Sequence, residues 1–133
     1  MADNVHNNVK NAATILLYSV ANADQNIEKD EIKIIKEIVQ DFFSVESQEA
    51  YDIVESAIIE FKKSTSYFEY AKTLNENFSY QDKLDFIYCI FEVAFSDSEL
   101  HFREQHLIKQ ISSILNIENQ DLIKTKLEIK NYL

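Results

Sequence analysis

An all-α bundle of about seven helices is what this sequence predicts, and three observations carry that reading. The 133 residues include no glycine and no proline. Hairpins and doubly wound sheets lean on glycine for positive φ at their turns, whereas helices joined by short Asn, Ser and Asp loops do not. Apolar residues recur at three- and four-residue spacing along most of the chain, the period of an amphipathic helix. The hydrophobic fraction of 46% suits a packed core and not a disordered chain. No linker or low-complexity tract interrupts the pattern, so residues 1–133 read as one domain.

The first helix shows Val5, Val9, Ala12, Leu16 and Val20 on one face, with Asp3 or Asn4 placed as N-cap. The second runs from about Lys29 to Phe42, with Ile32, Ile35, Ile38 and Phe42 aligned. Asp30 and Glu31 favour its first turn by complementing the helix dipole. "FFSVES" breaks the pattern, and Ser44 or Ser47 caps a third helix carrying Ala50, Ile53, Ala57 and Phe61. "KKSTS" ends that helix, and a short fourth spans roughly 66–75 with Tyr67, Tyr70 and Leu74 in a stripe. Ser79 followed by Asp82 resembles a capping box for the fifth helix, which reaches about Phe95. That helix is apolar nearly all round, so it is expected to be the central one. The sixth carries Leu107, Ile108, Ile111 and Leu115. After "NIENQ" the seventh places Leu122, Ile123, Leu127 and Leu133 toward the core.

The charge balance narrows function. Thirteen Lys and Arg against 23 Asp and Glu give a formal net charge of −10. Nucleic acid and anionic membranes both require a positive field, so neither is an expected partner. Cations, or a basic protein partner, remain compatible. The absence of glycine also excludes the Rossmann and P-loop phosphate cradles. The single cysteine, Cys89 in "FIYCIF", reads as a buried, inert thiol. No Ser/His/Asp or Cys/His spacing suggests nucleophilic catalysis, and the chain is not expected to be an enzyme. The longest apolar run, residues 86–91, is too short to span a bilayer, so no membrane insertion is expected. The N-terminal "MADNVHNN" has neither a basic n-region nor an apolar h-region, which predicts a cytoplasmic protein.

A shift of 73 residues superposes two polar elbows, within copies at about 16–42 and 89–115. Asp24 falls on Asp97 and Glu31 on Glu104, while Val20, Ala21, Ile35, Lys36 and Ile38 meet Val93, Ala94, Ile108, Lys109 and Ile111. Those are seven identities in the nineteen positions 20–38, where composition alone supplies roughly one or two. Each elbow joins the end of one helix to the start of the next. Its Asp is placed to accept backbone N–H groups, and its Glu to reach back from the first turn of the outbound helix.

The same carboxylates invite a metal reading. An EF-hand register puts Val20 and Val93 first and Gln25 and Ser98 sixth, where a calcium loop requires an acid and a glycine. The EF-hand is therefore rejected. "VANADQNIEKDEIKII" and "VAFSDSELHFREQHLIKQI" instead resemble the duplicated motif of the tellurite-resistance TerB-like family, V-A-x-A-D-G-x-I-x-x-x-E-x-x-x-I. The resemblance covers nearly the whole chain. This sequence departs from the motif at Gln25 and Ser98 in place of glycine, and at Ser96 in place of the second alanine. The resemblance implies a helical, stress-linked or metal-linked module without known catalysis, with its acidic positions at Asp24, Glu31, Asp97 and Glu104. A divalent cation (Ca²⁺, Mg²⁺, Mn²⁺ or Zn²⁺) held there is one reading, since hard cations take carboxylate oxygens. Carboxylates that only close the elbows are the other. A third set, Asp97, His101 and Glu104, has zinc-like chemistry, but His101 and His106 lie five apart and not four. A protein partner is expected in any case, with a metal-free adaptor as the alternative function; Tyr67, Phe68 and Tyr70 are one candidate surface, with packing into the core the favoured alternative for them.

Overall fold

The structure is a computed structural model describing residues 2–23, 29–63, 66–96 and 102–132. Among these residues it forms seven helices and no strand. They are α1 (Ala2–Ala21), α2 (Lys29–Phe42), α3 (Ser47–Lys63), α4 (Tyr67–Asn77), α5 (Tyr80–Ala94), α6 (Phe102–Ile114) and α7 (Asn119–Tyr132). None is long and apolar enough to cross a membrane.

Helix ends show how a chain without glycine stops its helices. Ser44 and Asn116 take positive φ, at 53° and 58°. Each sits two residues past the last residue of its helix, just after the C-cap, where glycine is usual. In each case the next residue bonds back five positions, Val45 N–H to the Gln40 carbonyl at 3.1 Å and Ile117 N–H to the Ser112 carbonyl at 3.0 Å. Ser44 therefore closes α2 and does not cap α3, and Ser47 is already the first residue of α3. Asp3 and Asn4 likewise lie inside α1 and not at its cap. The capping box of α5 forms as expected: the Asp82 N–H donates to Ser79 Oγ at 3.1 Å, and the Ser79 N–H donates to Asp82 Oδ2 at 3.3 Å.

The central helix is α1 and not α5. It packs against α2, α3, α4, α5 and α6. Ala12, Ala13 and Ala21 are buried on it and let neighbouring backbones approach, while Ile15, Leu16 and Leu17 fill the space between them. Its buried polar side chains, Thr14 and Ser19, are not orphaned. Thr14 Oγ1 donates to the Lys10 carbonyl at 2.8 Å and Ser19 Oγ to the Ile15 carbonyl at 2.7 Å. Helix α5 has its own buried face, with Phe86, Ile87, Ile90 and Phe91, but its other side is less enclosed. Phe42, Phe78 and Phe86 tie α2 to the start of α5, with ring centroids 5.6–6.1 Å apart.

Helix α7 buries Leu122 as its sequence suggests, but not the rest of the expected stripe. Leu122, Thr125 and Ile129 are buried, whereas Ile123 and Leu127 are 50% and 54% exposed. Contact with α5 selects that face. Tyr80 fixes the approach: its hydroxyl donates to Asp121 Oδ2 at 2.5 Å and accepts the Glu118 N–H at 3.1 Å. Leu133 lies outside the described residues.

Candidate functional site

The two elbows begin alike. At the end of α1, the Asn22 N–H donates to the Tyr18 carbonyl at 2.9 Å and the Ala23 N–H to the Val20 carbonyl at 3.2 Å. At the end of α5, Phe95 bonds Phe91 at 2.8 Å and Ser96 bonds Val93 at 3.2 Å, the same pattern 73 residues on. On the outbound side, Glu31 and Glu104 are each the third residue of their helix. They are 7% and 3% exposed, the two buried carboxylates among the described residues. Burying a carboxylate is expensive unless something engages it, and neither is without a partner. Helices α1 and α5 pack together, and each touches both α2 and α6.

Asp24 and Asp97 lie outside the described residues, as do His101 and the elbow apolar residues Ile27 and Leu100. Among the described residues no group of three His, Cys, Asp or Glu side chains is placed to hold a metal ion. His106 is exposed and stacks on Phe102 with centroids 6.5 Å apart, while Glu104 turns inward. The two do not share a surface.

A second feature was not read from the sequence. Helices α2 and α5 face each other across an open groove of about 640 Å³, which Ile129 of α7 also lines. Ile34, Ile38 and Phe42 from α2 and Phe95 beyond α5 give it an apolar lining. Glu37 and Asp41, one turn apart on α2, and Glu92 on α5 add three carboxylates to the same walls. Among the described residues, none of the three forms an ion pair. Burial first, and then the charge of Asp41, raise the Glu92 carboxyl above the ordinary carboxylate range. Ser96 Oγ, also on this wall, is buried without a hydrogen-bond partner among the described residues. Cys89 is only partly buried and lines the groove. Burial, followed by the charges of Glu92, Asp85 and Asp41, pushes its thiol up to about 12, so it stays protonated and is a poor nucleophile at neutral pH. The signal that could have found this groove is Glu92, the single charge within "FIYCIFEVAF".

The candidate aromatic surface is largely absorbed by packing. Tyr67 and Tyr70 rest against the core, and Tyr67 Oη donates to Gln110 Oε1 at 2.6 Å. Phe68 alone of the three is exposed, at 50%.

Comparison with protein families matches residues 10–127 to the family described as tellurite resistance protein TerB. No curated protein and no solved structure matches the chain.

Proposed function

The chain belongs to the tellurite resistance TerB family, and from that premise we propose that it is a non-enzymatic cytoplasmic module whose acidic elbows bind divalent cations. The observation that carries this reading is the burial of Glu31 and Glu104 at equivalent places in α2 and α6. Each is already engaged, and a hard cation that also took Asp24 or Asp97 would add its charge to that engagement. The family's name links the module to tellurite resistance or a related stress response. The protonated state of Cys89 agrees with a role other than thiol catalysis.

Thermal unfolding of chelator-treated protein tests the cation reading, with Ca²⁺, Mg²⁺, Mn²⁺ or Zn²⁺ added in turn. A ligand bound only to the native state stabilises it by about 2.7 kcal/mol at 100 times its Kd. The expected result is a higher midpoint with at least one metal, lost in Asp24→Asn and Asp97→Asn. An unchanged midpoint with every metal, beside variants that are destabilised under all conditions, would reduce the carboxylates to closing the elbows.

A second reading, a metal-free adaptor, is favoured by the α2–α5 groove. Its apolar lining and three carboxylates, unpaired among the described residues, suit a helix with apolar residues on one face and lysine or arginine beside them.

A further inference from the structure

We propose that the outer face of α7 docks into the α2–α5 groove of a second copy of this chain. The inference rests on the adaptor reading of the groove and names its occupant.

Two complementary surfaces lie on one molecule. The first is the groove, apolar at Ile38, Phe42 and Phe95, with Glu37, Asp41 and Glu92 on its walls. The three carboxylates are not placed to chelate one ion. Separate basic groups carried on an apolar scaffold match such an arrangement better than a point charge does. The second surface is the outward side of α7. Ile123, Leu127 and Lys130 are spaced i, i+4, i+7 and so share a face, and all three are exposed. Lys126 stands beside them, one turn before Lys130, and with Lys109 of α6 lines a depression of about 230 Å³ that also includes Ile123. None of these lysines forms an ion pair among the described residues. The acids of α7, Asp121 and Glu128, lie round the helix on its α5 side, beside Asp85. The outer face is thus a basic amphipathic stripe on an acidic protein, left uncovered because α7 packs by Leu122, Thr125 and Ile129.

Docked in a groove, Ile123 and Leu127 would meet its apolar lining while Lys126 and Lys130 approach the carboxylates of the neighbour. Two chains of formal charge −10 repel at long range, and opposite charges at the contact act within about 8 Å at physiological salt. Association therefore shows at high protein concentration. Because the two surfaces differ, the contact is heterologous, and a molecule broken in one surface keeps the other.

Sedimentation equilibrium of the full chain over rising concentration is the test, with two double variants at exposed positions. One is Glu37→Lys with Asp41→Lys in the groove; the other is Leu127→Glu with Lys130→Glu on α7. Circular dichroism melts check that both remain folded. The wild type is expected to exceed the monomer mass of 15.6 kDa as concentration rises. Each variant alone is expected to stay monomeric at the same concentrations, and an equimolar mixture of the two to recover a one-to-one dimer. A wild type monomeric throughout, variants that associate like the wild type, or a mixture that stays monomeric would each overturn the proposal. A fluorescent Leu/Lys model helix, titrated onto wild type and the groove variant, separates the two levels. If the wild type stays monomeric but binds this peptide through Glu37 and Asp41, self-docking falls and the adaptor reading stands; if the peptide does not bind either, both fall.

Discussion

Glu92 is a carboxylate held where it is less comfortable charged than in water. Partial burial and the nearby Asp41 raise its pKa, so the folded chain takes up that proton more readily than the unfolded chain does. The stability it contributes is fully present below the ordinary carboxylate value of about 4.3. It is lost as pH rises through the raised folded value. Glu92→Gln removes the titration. At neutral pH the variant is expected to be more stable than the wild type, by no more than about 1 kcal/mol because solvent still screens the group. Below about pH 4 the difference should vanish, as both side chains are then neutral. Urea unfolding at the two pH values measures this, and a variant less stable at neutral pH would mean that the carboxylate is engaged and not strained. Cys89 shares the same wall, and its raised pKa follows from the same burial and the same acids.

At the scale of the element, helix termination is the unusual feature. Ser44 takes a φ of 53° to end α2, and a residue with a Cβ in the left-handed region is disfavoured by roughly 1–2 kcal/mol. Glycine would relieve that strain but adds freedom to the unfolded chain, which offsets about 0.4–1 kcal/mol. Ser44→Gly is therefore expected to stabilise the protein by about 0.5–1 kcal/mol in urea unfolding. A loss of stability would show that the serine side chain itself holds the turn. Start signals read unevenly. Ser79 and Asp82 sit three apart and cap α5 as their spacing implies, and α2 spans Lys29–Phe42 as its apolar period indicates. The caps assigned to Asp3, Asn4, Ser44 and Ser47 did not form, because each of these residues types a helix start only when the chain around it is not already helical or turning.

For the whole molecule the organising fact is that α1, and not the more continuously apolar α5, stands at the centre. Leu16 on α1 is fully buried, and Leu16→Ala is expected to destabilise by about 2–5 kcal/mol through lost burial and a residual cavity. Leu127→Ala on the outer side of α7 should change stability by no more than about 0.5 kcal/mol. Equilibrium urea unfolding of both variants checks the pair. A large effect at Leu127 would contradict the packing of α7 by Leu122 and Ile129.

The sequence by itself determined the all-α class, the approximate extent of each helix, the capping box at Ser79 and the TerB family. These depend on interactions within a few residues, on the period of apolar side chains, and on the absence of glycine. It also singled out Glu31 and Glu104, because the spacing from Val20-Ala21 and Val93-Ala94 repeats. Only the tertiary structure decided that α1 is central, that Ile123 and Leu127 face outward, and that Glu37, Asp41 and Glu92 share one groove. A stripe of apolar residues on a helix is wider than the face its neighbours cover, and which part is covered depends on segments far away in the chain. Carboxylates from α2 and α5 meet for the same reason: more than fifty residues separate Glu37 from Glu92, and it is packing that makes them neighbours.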